Sequence, residues 1–119
     1  MMFREMFKSK IHLATVTETV LEYEGSIGID HDLMLAADLL PHEKVMVANV
    51  NTGERLETYV IEAPAGSGMI SLNGAAARCA QPGDRVIIIS FCMIDENEAR
   101  EMKPTVVMVD RENRQVRKG

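Results

Sequence analysis

No stretch of this 119-residue chain approaches the roughly 18 consecutive apolar residues that a membrane-spanning helix needs, so no membrane partner is expected. Arg4, Glu5, Lys8 and Lys10 interrupt the N-terminal apolar residues too often for a signal-peptide core, and a cytoplasmic location is expected. Basic charge is in short supply. With 13 Lys and Arg against 18 Asp and Glu, the formal net charge of -5 argues against a phosphate-binding surface and a nucleic-acid partner. Cysteine is scarce as well. Cys79 and Cys92 form no metal-spaced cluster and no disulfide framework, and are read as reduced, semi-buried fillers. Internal repeats, linkers and low-complexity stretches are absent, so nothing marks a second domain.

What is present suffices for one core. Hydrophobic residues make up 46%, and a single domain over residues 1–119 buries roughly 65% of the surface its unfolded chain exposes. The nine methionines, without a helical stripe, are read as core packing. Lys10 to Thr17 alternates like a strand, with Lys10, His12, Ala14 and Val16 expected on one face. Ile27 to Ile29 follows as a short strand. Asp30 suits a helix N-cap, with Leu33, Ala36, Ala37 and Leu40 on one helical face and Pro41 beyond it.

Further strands are expected over Lys44 to Val50, Arg55 to Ile61, Met69 to Leu72, Arg85 to Phe91 and Thr105 to Val109. Asn51-Thr52-Gly53 and Pro82-Gly83-Asp84 mark turns, and Asp95 to Met102 reads as a charged surface helix. Asp110 to Gly119, polar and with four basic residues, reads as a solvated tail. Many short strands with little helix point to a mainly β fold, a small closed or nearly closed barrel with short helices.

Gly25-Ser26 is uninformative alone, since Gly66-Ser67 repeats the dipeptide and both suit a turn. Its surroundings carry more. Lys10-Ile11-His12, then Tyr23-Glu24-Gly25-Ser26, Arg55-Leu56-Glu57-Thr58-Tyr59 and Ser71-Leu72-Asn73-Gly74-Ala75-Ala76-Ala77 resemble, in order and spacing, the aspartate 1-decarboxylase family. The likeness runs from about Met6 to Val107 and includes Arg78-Cys79-Ala80 to Ser90-Phe91.

That resemblance implies a six-stranded double-psi β-barrel whose chain cuts itself between Gly25 and Ser26. Residues 1–25 become a β chain, and residues 26–119 an α chain headed by a covalent pyruvoyl cofactor derived from Ser26. The implied reaction turns L-aspartate into β-alanine and carbon dioxide for pantothenate and coenzyme A, with no metal. The physics is compatible. A Ser hydroxyl that attacks the preceding carbonyl makes an ester, less stable than the amide, so the step needs strain or a stabilised oxyanion. Glycine tolerates unusual backbone angles and leaves its carbonyl open. A pyruvoyl ketone can serve as an electron sink, the role pyridoxal phosphate has elsewhere.

Residue roles follow from the same resemblance. Arg55 and Tyr59, four apart, share one strand face. On residue grounds alone Arg55 is a surface charge and Tyr59 is packing; the family implies an aspartate-binding arginine, whose planar fork matches a carboxylate, and a proton donor. Thr58 lies on the opposite face, yet the family uses it to position the Gly25 carbonyl and contact substrate. Gly74, Ala75 and Ala76 correspond to the substrate loop. Asn73, Lys10, His12 and Tyr23 are supporting candidates, and His12 is equally compatible with a structural role. The family also implies a homotetramer with sites between subunits, and leaves room for a maturation factor. Two rivals stand beside this reading: a non-enzymatic β-barrel binding module, and a pyruvoyl decarboxylase of another acidic amino acid.

Overall fold

The alternating apolar residues of the sequence form eight strands in the computed structural model, which describes residues 1–116. In chain order they are β1 (Phe3–Thr15), β2 (Glu18–Val20), β3 (Ser26–Asp30), β4 (Lys44–Asn49), β5 (Arg55–Ala63), β6 (Ile70–Asn73), β7 (Arg85–Asp95) and β8 (Thr105–Met108). Two short helices, α1 (His31–Ala36) and α2 (Glu96–Glu101), and a 3-10 turn over Gly74–Cys79 complete the fold. The mainly β class with short helices is as expected.

The strands hydrogen-bond in the order β2-β6-β3-β5-β4-β7-β1-β8, and among the described residues no ladder joins β2 to β8. The chain itself draws the ends together. Only Val16 and Thr17 separate β1 from β2, yet these strands stand near opposite ends of the order. A link that short spans roughly 10 Å at most, so the sheet must curl round to meet itself. Hydrogen bonds line this seam, from Val16 N to Asp84 O (2.9 Å) and from Thr17 N to Ile70 O (2.8 Å). Inside the curl Ile11, Ile27, Ile29, Val60, Leu72 and Ile88 are at most 1% exposed. Each such side chain contributes roughly 1.5–3 kcal/mol by leaving water.

Two local readings are corrected. Ala14 and Val16 are buried but Lys10 and His12 are not; the inward partner on their side of the break is Ile11. Leu13, at φ 59°, and a register shift between Ile11 and Ala14 insert a bulge that switches faces. The tail is not simply solvated. Asn113 is 1% exposed and donates to Thr15 O and Gly68 O, while Val109 bridges to Gln115. The last three residues of that predicted tail, 117–119, lie outside the described residues.

Asp30 does cap α1, accepting from Asp32 N at 2.8 Å, and it does more. Its carboxylate also accepts from Gly66 N and Gly68 N, pinning the loop between β5 and β6 to the end of β3. Burial pushes the Asp30 carboxyl up, but the N–H groups of Gly68, Asp32 and Gly66, with the Arg114 charge, outweigh it and hold it below the ordinary value. A depressed carboxyl stabilises the fold above its unfolded pKa and loses that contribution as acid protonates it. Three strands that carry candidate site residues are thus tied at one point.

Candidate active site

β3 lies between β5 and β6, so Ser26 at its start has a neighbour on each side. It pairs directly with Asn73 on antiparallel β6. On parallel β5 the ladder begins where Ile27 pairs with Val60, so Ser26 and Tyr59 are the residues just ahead of it on the two strands. Ile27 and Val60 are both 0% exposed and face the core. Strand alternation therefore turns Ser26, Tyr59 and Arg55 to the outer face and Thr58 to the core side. Arg55 and Tyr59 share a face, and Thr58 opposes them, as the sequence spacing requires.

Ser26 is nonetheless fully buried, while Gly25 before it is exposed. The Ser26 hydroxyl donates to Glu24 O (3.0 Å) and accepts from Asn73 Nδ2 (3.0 Å). Asn73 stands at the N-cap position of the 3-10 turn, where asparagine usually caps with its side chain, yet it makes no such bond. Its amide is committed to Ser26 and, through Oδ1, to the hydroxyl of Ser71 at 2.7 Å. A cavity of about 250 Å³ adjoins this cluster, lined in part by Tyr23, Gly28, Ile61, Ser71 and Asn73.

Gly74 seats the segment that precedes Ser26. At φ 66° it is in the left-handed region, and a Cβ there would lie 2.7 Å from Gly25 Cα, Gly25 N and Tyr23 O.

The Aspartate decarboxylase family profile matches residues 2–116. A protein named aspartate 1-decarboxylase from Pelotomaculum thermopropionicum is 62% identical over 99% of this chain and 91% of its own length. Those from Chlorobium luteolum and Heliobacterium modesticaldum are each 60% identical, over 91% and 95% of this chain and 84% and 86% of their own. This chain belongs to the aspartate decarboxylase family. The crystal structure of the rationally designed mkDPBB_sym_86 protein is also similar, with TM-score 0.49 and 14% identity, covering 66% of this chain and 91% of its own.

In this aspartate decarboxylase family member, the candidates fall into two groups. Gly25, Ser26, Asn73 and Gly74 meet at the start of β3, and Thr58 and Tyr59 lie on β5 just ahead of the point where it pairs with β3. Arg55 is exposed further along β5, opposite Ala48, and makes no ion pair among the described residues. Ala75 is exposed beside Gly74, whereas the Ala76 side chain is 8% exposed and belongs to the core. Tyr23 is 58% exposed, its carbonyl against Gly74.

Lys10 and His12 are not brought to Ser26 within the chain. They sit on β1, which pairs with β7 and β8. His12 Nδ1 is buried without a partner, and burial, then the charges of Lys10 and Arg85, push its pKa down. Sequence reasoning passed over Ser71 and His42. The His42 ring lies near Tyr59 with centroids 6.3 Å apart, and the His42 backbone N–H donates to Val60 O. No spacing rule marks either residue, because each meets the site only through a neighbour set by strand register.

Gly74→Ala tests the seat. Overpacking costs roughly 1–3 kcal/mol, and the displaced backbone is the Gly25 segment itself. The expected cleavage between residues 25 and 26 should slow well below the wild-type rate in a time course on a denaturing gel. Cleavage at the wild-type rate would show that the contact is not required.

Proposed function

We propose that this chain is the precursor of an aspartate 1-decarboxylase, which cuts itself between Gly25 and Ser26 and then converts L-aspartate to β-alanine and carbon dioxide for pantothenate synthesis in the cytoplasm. The observation that carries this reading is the enclosed Ser26 hydroxyl. It accepts from Asn73 at 3.0 Å, next to an exposed glycine, in a chain 62% identical to a protein of that name.

In the cleavage step Ser26 Oγ bonds to the Gly25 carbonyl carbon as the Gly25–Ser26 C–N bond breaks, and the hydroxyl proton passes to the freed nitrogen. Asn73 Nδ2 already donates to that oxygen, which holds Oγ in place and eases loss of its proton, while the negative charge of the addition develops on the Gly25 carbonyl oxygen. Thr58, two residues ahead of the Val60 that pairs with Ile27, is the β5 hydroxyl available to orient the Gly25 carbonyl. Loss of the Ser26 α-proton then expels the Gly25 carboxylate, and water displaces the enamine nitrogen as ammonia.

The pocket fits a pyruvoyl group at position 26. The side chain there is already 0% exposed, and Asn73 Nδ2 already donates to the oxygen it carries. When formed, that group supplies the electron sink for loss of carbon dioxide. The chain's own side chains do the rest. Arg55, exposed and without an ion pair among the described residues, offers two parallel donors to a substrate carboxylate. Tyr59 carries a transferable proton beside Ser26, and the backbone around Gly74 and Ala75 can approach substrate closely.

The remaining candidates, Lys10 and His12, belong to a neighbouring copy in a homotetramer. On the outer face, β4 and β7 separate β1 from β5, a gap of roughly 14 Å. Lys10, Ile89, Met46 and Glu57 lie in one cross-strand row over that gap. Met46, Ala48, Ile87 and Ile89 give the face between them an apolar, half-buried surface. A second copy seated there would carry its Lys10 toward the first copy's site. Whether a maturation factor assists is open to the same assay, since purified chain that cleaves alone needs none.

Intact mass tests the reading. Matured protein should give residues 1–25 and 26–119, the larger fragment lighter by one ammonia than plain hydrolysis would leave it. An unbroken chain under all conditions, or ordinary hydrolysis products, would overturn the proposal. Two variants then separate cutting from binding. Thr58→Val should impair cleavage. Arg55→Ala should cleave normally but lose about ten- to a hundredfold in kcat/KM for aspartate, the effect of a charge-assisted hydrogen bond. Wild-type kinetics in matured Arg55→Ala would rule out that anchor.

A further inference from the structure

Three hydrogen bonds in series run through the cluster behind the scissile bond. Ser71 Oγ donates to Asn73 Oδ1 at 2.7 Å, Asn73 Nδ2 donates to Ser26 Oγ at 3.0 Å, and Ser26 Oγ donates to Glu24 O at 3.0 Å. Ser71, Asn73 and Ser26 are 3%, 4% and 0% exposed. Solvent therefore does little to substitute for any bond in the series.

An asparagine amide is nearly symmetric in shape but not in function. One end donates and the other accepts. In the observed orientation the donor end meets Ser26 Oγ, which keeps its own proton on Glu24 O. Turned over, the amide would present its oxygen to Ser26. It would draw the Ser26 proton away from Glu24 O and leave the Ser71 proton without an acceptor. The observed orientation makes three bonds where the reversed one makes two, and the third depends on the Ser71 hydroxyl acting as donor.

Only the observed orientation suits cleavage. Loss of the proton puts negative charge on Oγ before the C–O bond forms and the charge passes to the Gly25 carbonyl oxygen; a facing N–H eases that deprotonation, and a facing carbonyl oxygen opposes it. Ser71 is on β6, directly across from Gly28, and touches neither Gly25 nor Ser26 in any hydrogen bond among the described residues. Its route to the reaction runs through Asn73.

We propose that Ser71 is a positioning residue for self-cleavage: its hydroxyl fixes the Asn73 amide with the donor end toward Ser26. This rests on the cleavage reading above. The conversion of freshly purified full-length chain into two fragments tests it. If the wild-type chain never cleaves, the cleavage reading itself fails. If it does, the Ser71 variants decide the present point.

Ser71→Ala should cleave about three- to tenfold more slowly, the effect of one buried neutral hydrogen bond. Ser71→Cys preserves packing with a poor donor and should be slowed similarly, so a folding defect in the alanine variant does not end the test. Ser71→Thr retains the hydroxyl and should recover most of the rate. The double variant Ser71→Ala/Asn73→Ala should cleave within about twofold of Asn73→Ala alone, because Ser71 has nothing to position once the amide is gone. Thermal melting identifies variants that remain folded. Wild-type rates in folded Ser71→Cys, no recovery in folded Ser71→Thr, or independent slowing by the two substitutions in the double variant would each overturn the proposal.

Discussion

Ser26→Ala should remain a single chain of full length and show no decarboxylase activity. In the proposed function position 26 supplies both the nucleophile for cleavage and the carbon skeleton of the cofactor, so one substitution would remove both. Folding should persist. Alanine loses a single oxygen at a site 0% exposed, leaving Asn73 Nδ2 and Glu24 O each short of one partner. A buried unsatisfied group costs roughly 1–3 kcal/mol, within the margin of a typical domain. A denaturing gel and β-alanine production read the two consequences separately. A variant that still parted into 1–25 and 26–119 would transfer the attack to another group.

The second large effect is expected at Tyr59. Tyr59→Phe retains the ring that packs against His42, 6.3 Å between centroids, and removes only the transferable proton. Cleavage should survive, because Ser26, Asn73 and Thr58 are untouched. Turnover should fall by about 10²–10⁴-fold, the usual contribution of a positioned general acid. The decisive measurement is single-turnover β-alanine formation by fully matured protein. A rate within about twofold of wild type, far below that effect, would mean another group delivers the proton.

The sequence exposed those features that depend on local chemistry. Asp30 was legible as a cap because a short acceptor ahead of Leu33 and Ala37 has few other uses. Asp95 caps α2 as the same pattern suggests, accepting from Asn97 N and Glu98 N. The turn at Gly53, with φ 80°, was legible too. Nonlocal features were not. The predicted helical face ran on to Leu40, but α1 stops at Ala36, Asp38 takes φ 54°, and Leu40 is 66% exposed. Alternation carried Lys10 and Val16 onto one face because a bulge at Leu13 leaves no mark in residue type. The first strand begins at Phe3, earlier than expected, because Phe3 to Phe7 is held by pairing with β7 at Phe91 to Asp95.

At the site, the shared face of Arg55 and Tyr59 follows from spacing, and the chemistry of Ser26 came through resemblance. The bond from Asn73 to Ser26 spans 47 residues and depends on how β3 and β6 align. The contact of Gly74 with Gly25 has the same origin. Neither could be read before the register was known.

The short passage from β1 into β2 has a consequence for the matured protein. The 1–25 fragment would keep β1 between β7 and β8 and β2 against β6, so it is threaded through the sheet of the larger fragment. Cutting after residue 25 frees nothing at once, but it turns one molecule into two. Before the cut, the long first strand searches for its place as a tethered segment at high local concentration. Afterwards a denatured sample must find it by collision between separate peptides, and its melting temperature should depend on protein concentration. The instructions for the fold are complete only in the uncut chain. Maturation of the proposed kind would therefore act as a ratchet: the enzyme would gain its reactive group and give up its ability to start again from an unfolded state.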